Sequence, residues 1–490
     1  MTPQSNFMVL AEVPANRVKS LRALLDTLNL GDTPGMANPD NSKVPFGKIK
    51  SLHFARFVIL DDQTLSDFKD ILNPIPKYPV ELAFLADFDG PVEEFLDILV
   101  QEAGPGLEEI FSHCGFEAQS NLLDWMKRHS RPPAAAYVNW VGRSVKQIHE
   151  EAALRKGLVE YVDANCARLQ HTAPQDIRRE LLQQASKFPL TRPKRTPLGW
   201  CLWNLLHYAI VPALLLLPWV LAIPCLVPPT KYVLWVVGPS LVVSALVFLW
   251  LVCRTPVTLA VLVFLGLMLV PFVLLLFPLL LIPLGLAAFA FAWALRWHEK
   301  NEPEIIFRPS LPHDRELAAL EDYDVSNQFT ALGSVKPSTF RRVLFVVLLW
   351  FTNYGARHVY TKGFLSRIRS IHFARWVFID DKRRVLFASN YDGSHQAYMD
   401  DFINKAGWGL NLTFGCGFGY PRTKWFIWEG SKQELKFKYT NRRHQVPTQV
   451  WYKAYPGLTA FDLARNARVR RAVERKAMTD DDVRKWLSDL

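Results

Sequence analysis

Two sets of the same three residue types, a histidine, an arginine and an aspartate, mark where chemistry could reside in this 490-residue chain. KSLHFARFVILDD (Lys50 to Asp62) recurs as RSIHFARWVFIDD (Arg369 to Asp381), identical at eight of thirteen positions, and LAFLADFDG (Leu82 to Gly90) recurs as VLFASNYDG (Val385 to Gly393). His53, Arg56 and Asp89 therefore stand beside His372, Arg375 and Asp392 as two copies of one candidate catalytic set. The same types serve equally as buried hydrogen-bonding groups with a turn glycine, and both readings are open. Because a strand alternates its faces, His53, Ala55 and Phe57 are expected on one side and Phe54, Arg56 and Val58 on the other. One polar group would then point between sheets while the other pairs with an acid, Asp89 or Asp392, at the end of the following strand.

These matches belong to an internal duplication, which FSHCGF (Phe111 to Phe116) and FGCGF (Phe414 to Phe418) extend. The offset between copies is 319 at the histidines and 303 at the aspartates, so the first copy carries 16 additional residues between them. Each copy reads as strand, helix, strand (HFAR), strand (ending in DG), helix, and a later strand, AAAYVNW or TQVWYKA. That is the βαββαβ order of a ferredoxin-like unit. A further helix follows each copy. The first helices differ, since Val18, Leu21, Leu25 and Leu28 mark one face whereas Val343 to Phe351 is apolar all round. Nine such residues are too short to cross a bilayer, so this segment is expected to lie between domains or against the apolar block.

Two such units in one chain resemble the dimeric α/β-barrel superfamily, which includes dye-decolorising peroxidases, chlorite dismutases and antibiotic-biosynthesis monooxygenases. The resemblance lies in topology and duplication and covers the roughly 390 residues outside the apolar block. It implies an α+β fold in which two paired sheets form a pseudo-dimeric barrel around a ligand cavity, and by analogy an oxidoreductase. Peroxidases of that superfamily use haem with a proximal histidine, a distal arginine and an aspartate in a GxxDG motif. The corresponding strings here, ADFDG (Ala86 to Gly90) and SNYDG (Ser389 to Gly393), lack the first glycine. Axial candidates under this resemblance are His372, His395 and His444.

The copies also differ where the second carries NRRHQVPTQVWYKAYPGLTAFD (Asn441 to Asp462). Arg442, Arg443, His444, Tyr452 and Tyr455 place anion-binding donors beside aromatic rings, a set suited to a lipid carboxylate or phosphate or to cofactor propionates; an ordinary solvated edge is the alternative. The glycine-rich GWGLNLTFGCGFGYP (Gly407 to Pro421) permits close backbone approach but is not a nucleotide-binding loop.

Net charge is +11, yet between Thr196 and Leu295 the only Lys, Arg, Asp or Glu residues are Lys231 and Arg254. Four transmembrane helices are expected, at about 203-226, 232-253, 257-276 and 279-297, with both termini cytoplasmic by the distribution of Lys and Arg. The amino terminus does not read as a secretory signal, and six cysteines without a CxxC pair suggest neither a disulfide framework nor a metal site. The basic run Arg465 to Lys476 would be a solvated face or rest on anionic headgroups; no motif points to nucleic acid.

The organisation read from the sequence is a first repeat over 1-170, a basic linker over 171-198 and membrane helices over 199-298. A linker over 299-323, a second repeat over 324-478 and a terminal helix over 479-490 complete it. Two functions fit: a membrane protein whose duplicated barrel binds a lipophilic or amphipathic ligand, as a peroxidase-like oxidoreductase on lipid-derived substrates, or a non-catalytic membrane scaffold or lipid sensor. A polar cavity with converging His and Arg favours the first, and a filled interior the second.

Overall fold

The computed structural model describes residues 3–69, 75–192 and 285–490, with isolated positions between 198 and 246. The chain separates into one unit formed by Met1–Arg195 and Pro303–Leu490 and another formed by Thr196–Glu302.

The larger unit holds both repeats. The first begins with β1 (Gln4–Glu12), α1 (Val18–Asp26) and the short strands β2 (Asn29–Leu30) and β3 (Thr33–Ala37). It continues through β4 (Leu52–Leu60), β5 (Glu81–Asp89), α2 (Val92–Ser112), α3 (Leu122–Arg128), β6 (Ala135–Val138), α4 (Val145–Ala164) and α5 (Pro174–Ala185). After α6 (Leu311–Ala318), the second repeat runs through β7 (Ser326–Ser334), α7 (Thr339–His358), β8 (Ile371–Ile379), β9 (Arg384–Asp392) and α8 (His395–Phe414). A small hairpin, β10 (Thr423–Lys424) and β11 (Trp428–Glu429), precedes α9 (Glu434–His444), β12 (Val450–Lys453), α10 (Ala460–Glu474) and α11 (Asp480–Leu487).

Strand pairing departs from two self-contained ferredoxin-like units. The first sheet has the order β1-β5-β4-β12-β3-β2 and the second the order β6-β8-β9-β7. Each repeat therefore gives its last long strand to the other repeat's sheet. β12 pairs antiparallel with β4, Trp451 opposite Arg56, and β6 pairs antiparallel with β8, Ala136 opposite Arg375. The repeats pair within one chain because each sheet needs the other's strand to cover an edge that would otherwise present unpaired N–H and C=O groups.

The two sheets share an apolar layer of Met8, Leu10, Val58 and Leu85 from one and Leu332, Val377, Leu386 and Val446 from the other, all buried. The cavity expected between the sheets is replaced by these side chains and by two arginines. Arg56 donates to the carbonyl oxygens of Phe329 and Ser389, each at 2.9 Å, and to Thr330 Oγ1 and Asn390 Oδ1. Arg375 does the converse, donating to the carbonyls of Phe7 (3.0 Å) and Ala86 (2.9 Å) and pairing with Asp87. Phe7, Ala86 and Asp87 are the repeat-equivalents of Phe329, Ser389 and Asn390, so the two arginines cross the interface reciprocally.

On its outer face the first sheet packs Phe57, Phe84 and Phe88 against Leu21 and Leu25 of α1 and Phe95 and Leu99 of α2. Each such side chain contributes about 1.5–3 kcal/mol when fully buried. In the second repeat the apolar α7 lays Leu344, Phe345 and Leu349 inward and leaves Val343, Val347, Trp350 and Phe351 exposed. Ser338 caps it, its side chain accepting from the Arg341 N–H.

In the smaller unit the expected spans at about 203-226, 232-253 and 257-276 lie outside the described residues apart from isolated positions. The fourth, about 279-297, is described from residue 285, where a helix runs over 285–301 and includes an Arg296–Glu299 pair. Among the described residues no helix is long and apolar enough to cross a membrane. The expected transmembrane bundle and the multi-pass placement with cytoplasmic termini are corrected accordingly: the described chain is a mixed α/β protein built on two sheets.

Arg375→Met leaves the Asp87 carboxylate buried without its cation and should destabilise the chain by about 3–5 kcal/mol, measured by urea unfolding of the full-length protein. Arg56→Met, whose lost partners are neutral, should cost less. An unchanged unfolding midpoint in Arg375→Met would show that the crossed arginines do not hold the repeats together.

Candidate functional site

The duplicated histidines do not lie on the face that strict alternation assigns them. The register between β4 and β5 shifts between Leu52 and Phe54, and that between β8 and β9 shifts between Ile371 and Phe373, so His53 and His372 are each the additional residue of a β-bulge. A bulge re-aims its side chain. His53 now packs against Phe373 of the other repeat, centroids 5.2 Å apart, and His372 against Phe54 at 5.5 Å, with Tyr455 near both rings. Histidine and arginine thus share the inter-repeat side, correcting the expectation of opposite faces.

Their partners are mutual. His53 Nε2 lies 3.0 Å from Asp89 Oδ1, while Asp89 Oδ2 accepts from the Val145 N–H at the start of α4. His372 Nε2 lies 2.6 Å from Asp392 Oδ1, while Asp392 Oδ2 accepts from the Ala460 N–H at the start of α10. Each aspartate therefore fastens a bulged strand to the first turn of the helix that follows the repeat, where a negative charge is favoured. Both histidines are 1 % exposed, which leaves no room for a substrate at either ring. The Tyr455 hydroxyl beside them, 3.3 Å from His53 Nδ1, is held well above the ordinary phenol range by burial and by the carboxylates of Asp89, Asp87 and Asp392.

The anion-binding set expected in the second repeat is dispersed. Arg442 pairs with Asp314 and Glu321, each at 2.6 Å, and Arg443 with Asp67 at 2.7 Å. Tyr452 stacks on Phe46, and His444 Nδ1 lies 2.8 Å from the Thr440 carbonyl. The basic carboxy-terminal run is likewise engaged, with Arg468 on Asp489 and Arg470, 2 % exposed, on Glu474. His395 stacks on Phe329 at the edge of a polar cavity that Asp314, Glu321, Lys438 and Arg442 also line. Burial foremost, then Arg442 and Lys438, lower its imidazole to about 4 against the opposing pull of Asp314. The three candidate axial histidines thus stand in three separate surroundings.

An apolar cavity of about 300 Å³ opens elsewhere, on the outer face of the second sheet. Its floor is Ile371, Ala374, Trp376 and Phe387, and its walls come from Leu348, Phe351 and Gly355 of α7 and Phe402, Ala406, Gly409 and Leu410 of α8. Ala406 leaves helical geometry, with φ −136°, and bends α8 at this wall. Phe351, Val359 and Trp408 are about half exposed at the lining's outer edge. None of the residues lining it is a histidine, cysteine or methionine, so the side chains present do not fit haem with the expected proximal histidine.

Why the second repeat is hollow and the first is not can be traced to one loop and one glycine. Ala103-Gly104-Pro105-Gly106-Leu107 in α2 corresponds to Ala406-Gly407-Trp408-Gly409-Leu410 in α8. A Cβ on Gly106 would stand 2.1 Å from the Lys43 carbonyl oxygen, whereas one on Gly409 would meet nothing within 4 Å. The first repeat joins α1 to β4 through residues 27–51, and that long connection carries Lys43 and the fully buried Phe46 against α2 and the sheet. The second repeat has only residues 359–370 between α7 and β8. Nothing equivalent to Phe46 fills the space. The glycine-rich stretch is visible in the sequence but the cavity is not: the segments from β1 to β4 and from β7 to β8 are nearly equal in length, and the difference lies in how far α1 and α7 run.

No known protein family, no characterised protein and no solved structure matches the chain.

Gly106→Ala should destabilise the protein by about 1–3 kcal/mol because the Lys43 backbone must move, while Gly409→Ala should be neutral or stabilising by up to about 1 kcal/mol. Thermal unfolding of both variants distinguishes a filled from a hollow repeat, and equal losses would contradict the asymmetry. Acid sensitivity supplies a second check. An unfolded histidine binds its proton near pH 6.5 and the folded His395 only near 4, so between these values the unfolded state holds the additional proton and stability falls on acidification. The slope is at most about 1.4 kcal/mol per pH unit for one such group. His395→Phe should flatten that fall, read as the urea midpoint at several pH values; an unaltered pH profile would show that His395 is not the group responsible.

Proposed function

We propose that this chain is a binding protein for a lipophilic small molecule, taken into the cavity between the second sheet, α7 and α8. One observation carries the reading: equivalent glycines of two duplicated helices face a packed backbone in one repeat and empty apolar space in the other. The space, about 300 Å³, is lined almost wholly by apolar side chains such as Trp376, Phe387, Phe402 and Leu410, the kind of concave surface that small-molecule sites present. A concave apolar surface of this kind suits an apolar guest. The volume lies at the lower end of ligand pockets, which suits a compact or single-chain guest.

Catalysis by the duplicated His, Arg and Asp residues has less support, since each is committed to a partner that joins strands, helices or repeats. Under the proposed reading these residues keep the frame rigid while the second repeat binds.

The test is titration with a neutral apolar fluorophore, N-phenyl-1-naphthylamine, followed by its emission and by quenching of the tryptophans that line the cavity, Trp376 and Trp408. Saturable binding is expected at one site per chain. Gly409→Leu should weaken it at least about tenfold, while Gly409→Ala, which folds with the same helix, retains most of it. Non-saturable uptake, or equal binding by the Gly409→Leu protein, would remove the cavity as the site.

A further inference from the structure

A second, more polar cavity of about 800 Å³ adjoins the apolar one. Ser366 lines both, and along two elements the walls pass directly from one to the other: Lys405 to Ala406 on α8, and Ser370 to Ile371 entering β8. The junction is a tight turn in which Leu365 and Ile368 exchange backbone hydrogen bonds, each 2.9 Å, around Ser366 and Arg367. Ser366 takes a left-handed conformation, φ 59°, and its hydroxyl donates to the Lys405 carbonyl at 3.2 Å, fastening the turn to α8. A non-glycine residue is rarely held there without a constraint from its surroundings.

The charges around this junction are unequally used. Asp392 spends both oxygens on His372 and the Ala460 N–H, and Asp401 pairs with Lys405 at 2.6 Å. Arg367 and Arg369, on and just after the turn, have no hydrogen-bond or ion-pair partner among the described residues. Two guanidinium groups beside spent carboxylates, at the end of an apolar cavity, make a head-group subsite continuous with a chain subsite.

We propose that the ligand is a single-chain amphiphile with an anionic head, its chain in the apolar cavity and its carboxylate or phosphate held by Arg367 and Arg369. The assignment rests on the binding function proposed above and specifies its ligand class. A planar guanidinium matches either oxyanion in a bidentate fashion, and two of them distinguish an acid from an alcohol of the same chain length. Because both arginines are exposed, the discrimination weakens with salt.

Isothermal titration of the full chain with dodecanoate, dodecyl phosphate and dodecanol, each below its aggregation concentration, tests the assignment. Both anions should bind at least about tenfold more tightly than the alcohol at low salt. Arg367→Gln with Arg369→Gln should bring them to the level of dodecanol without altering dodecanol itself, and Gly409→Leu should weaken all three. The comparison of dodecanoate with dodecyl phosphate identifies the preferred oxyanion. Equal affinity of acid and alcohol in the native protein, or anion binding indifferent to the double substitution, would overturn the head-group assignment while leaving the apolar site standing. Failure of dodecanol and N-phenyl-1-naphthylamine to bind would instead overturn the binding function from which it proceeds.

Discussion

The exchange of last strands between the repeats is the constraint on which this structure depends. Once β12 lies on β4 and β6 on β8, the second strand of each repeat is central in its sheet, and the arginine one turn of the pleat beyond the bulge faces the opposite repeat. A guanidinium has five donors and no acceptor, so it can occupy a buried interface only where several carbonyl oxygens converge. The opposing strand ends supply them. Burial lowers the Arg56 guanidinium's proton affinity, as expected for a charge removed from water, and Asp87 offsets part of this. The histidines complete the same frame from the bulges, each handing its aspartate to a following helix.

Two-fold duplication normally gives two equivalent interiors, and here it does not. The frame residues repeat faithfully, whereas the connections between first helix and second strand do not. In the first repeat Phe46 and the Lys43 backbone close the space between sheet and α2; in the second a longer α7 and a shorter connection leave it open. One half has become a packed support and the other a receptor, with the same sheet geometry underneath.

Much of this order was legible in the sequence. The repeated HFAR and DG strings located β4, β5, β8 and β9, and AAAYVNW and TQVWYKA located the last strands, because these segments follow local periodicity. Their exchange was not legible, since either sheet offers the same apolar edge and pairing partners are a non-local choice. The bulges escaped for a related reason: Leu52-His53-Phe54 carries no turn residue to announce an additional one. Among the candidate site residues, His53, Arg56, Asp89 and their counterparts stand out as a set, but sequence alone leaves catalysis and buried hydrogen bonding both open. The burial that turns them into framework appears only when both repeats are assembled. The apolar block shows the converse limit, in which composition alone supports spans that the described helices do not contain.

Strand exchange also sets the order in which this protein can be completed. When a ribosome has released the first repeat, β4 still exposes the edge reserved for β12, and β3, which pairs with β12 rather than with β4, has no place in the sheet. That edge stays open until the second repeat has been synthesised, because β12 (Val450–Lys453) follows β7 through β11 in the chain. Pairings so distant in sequence form slowly, and a bare apolar strand edge invites association with other chains in the meantime. The nascent first repeat is therefore the part of this protein with most need of a chaperone's attention.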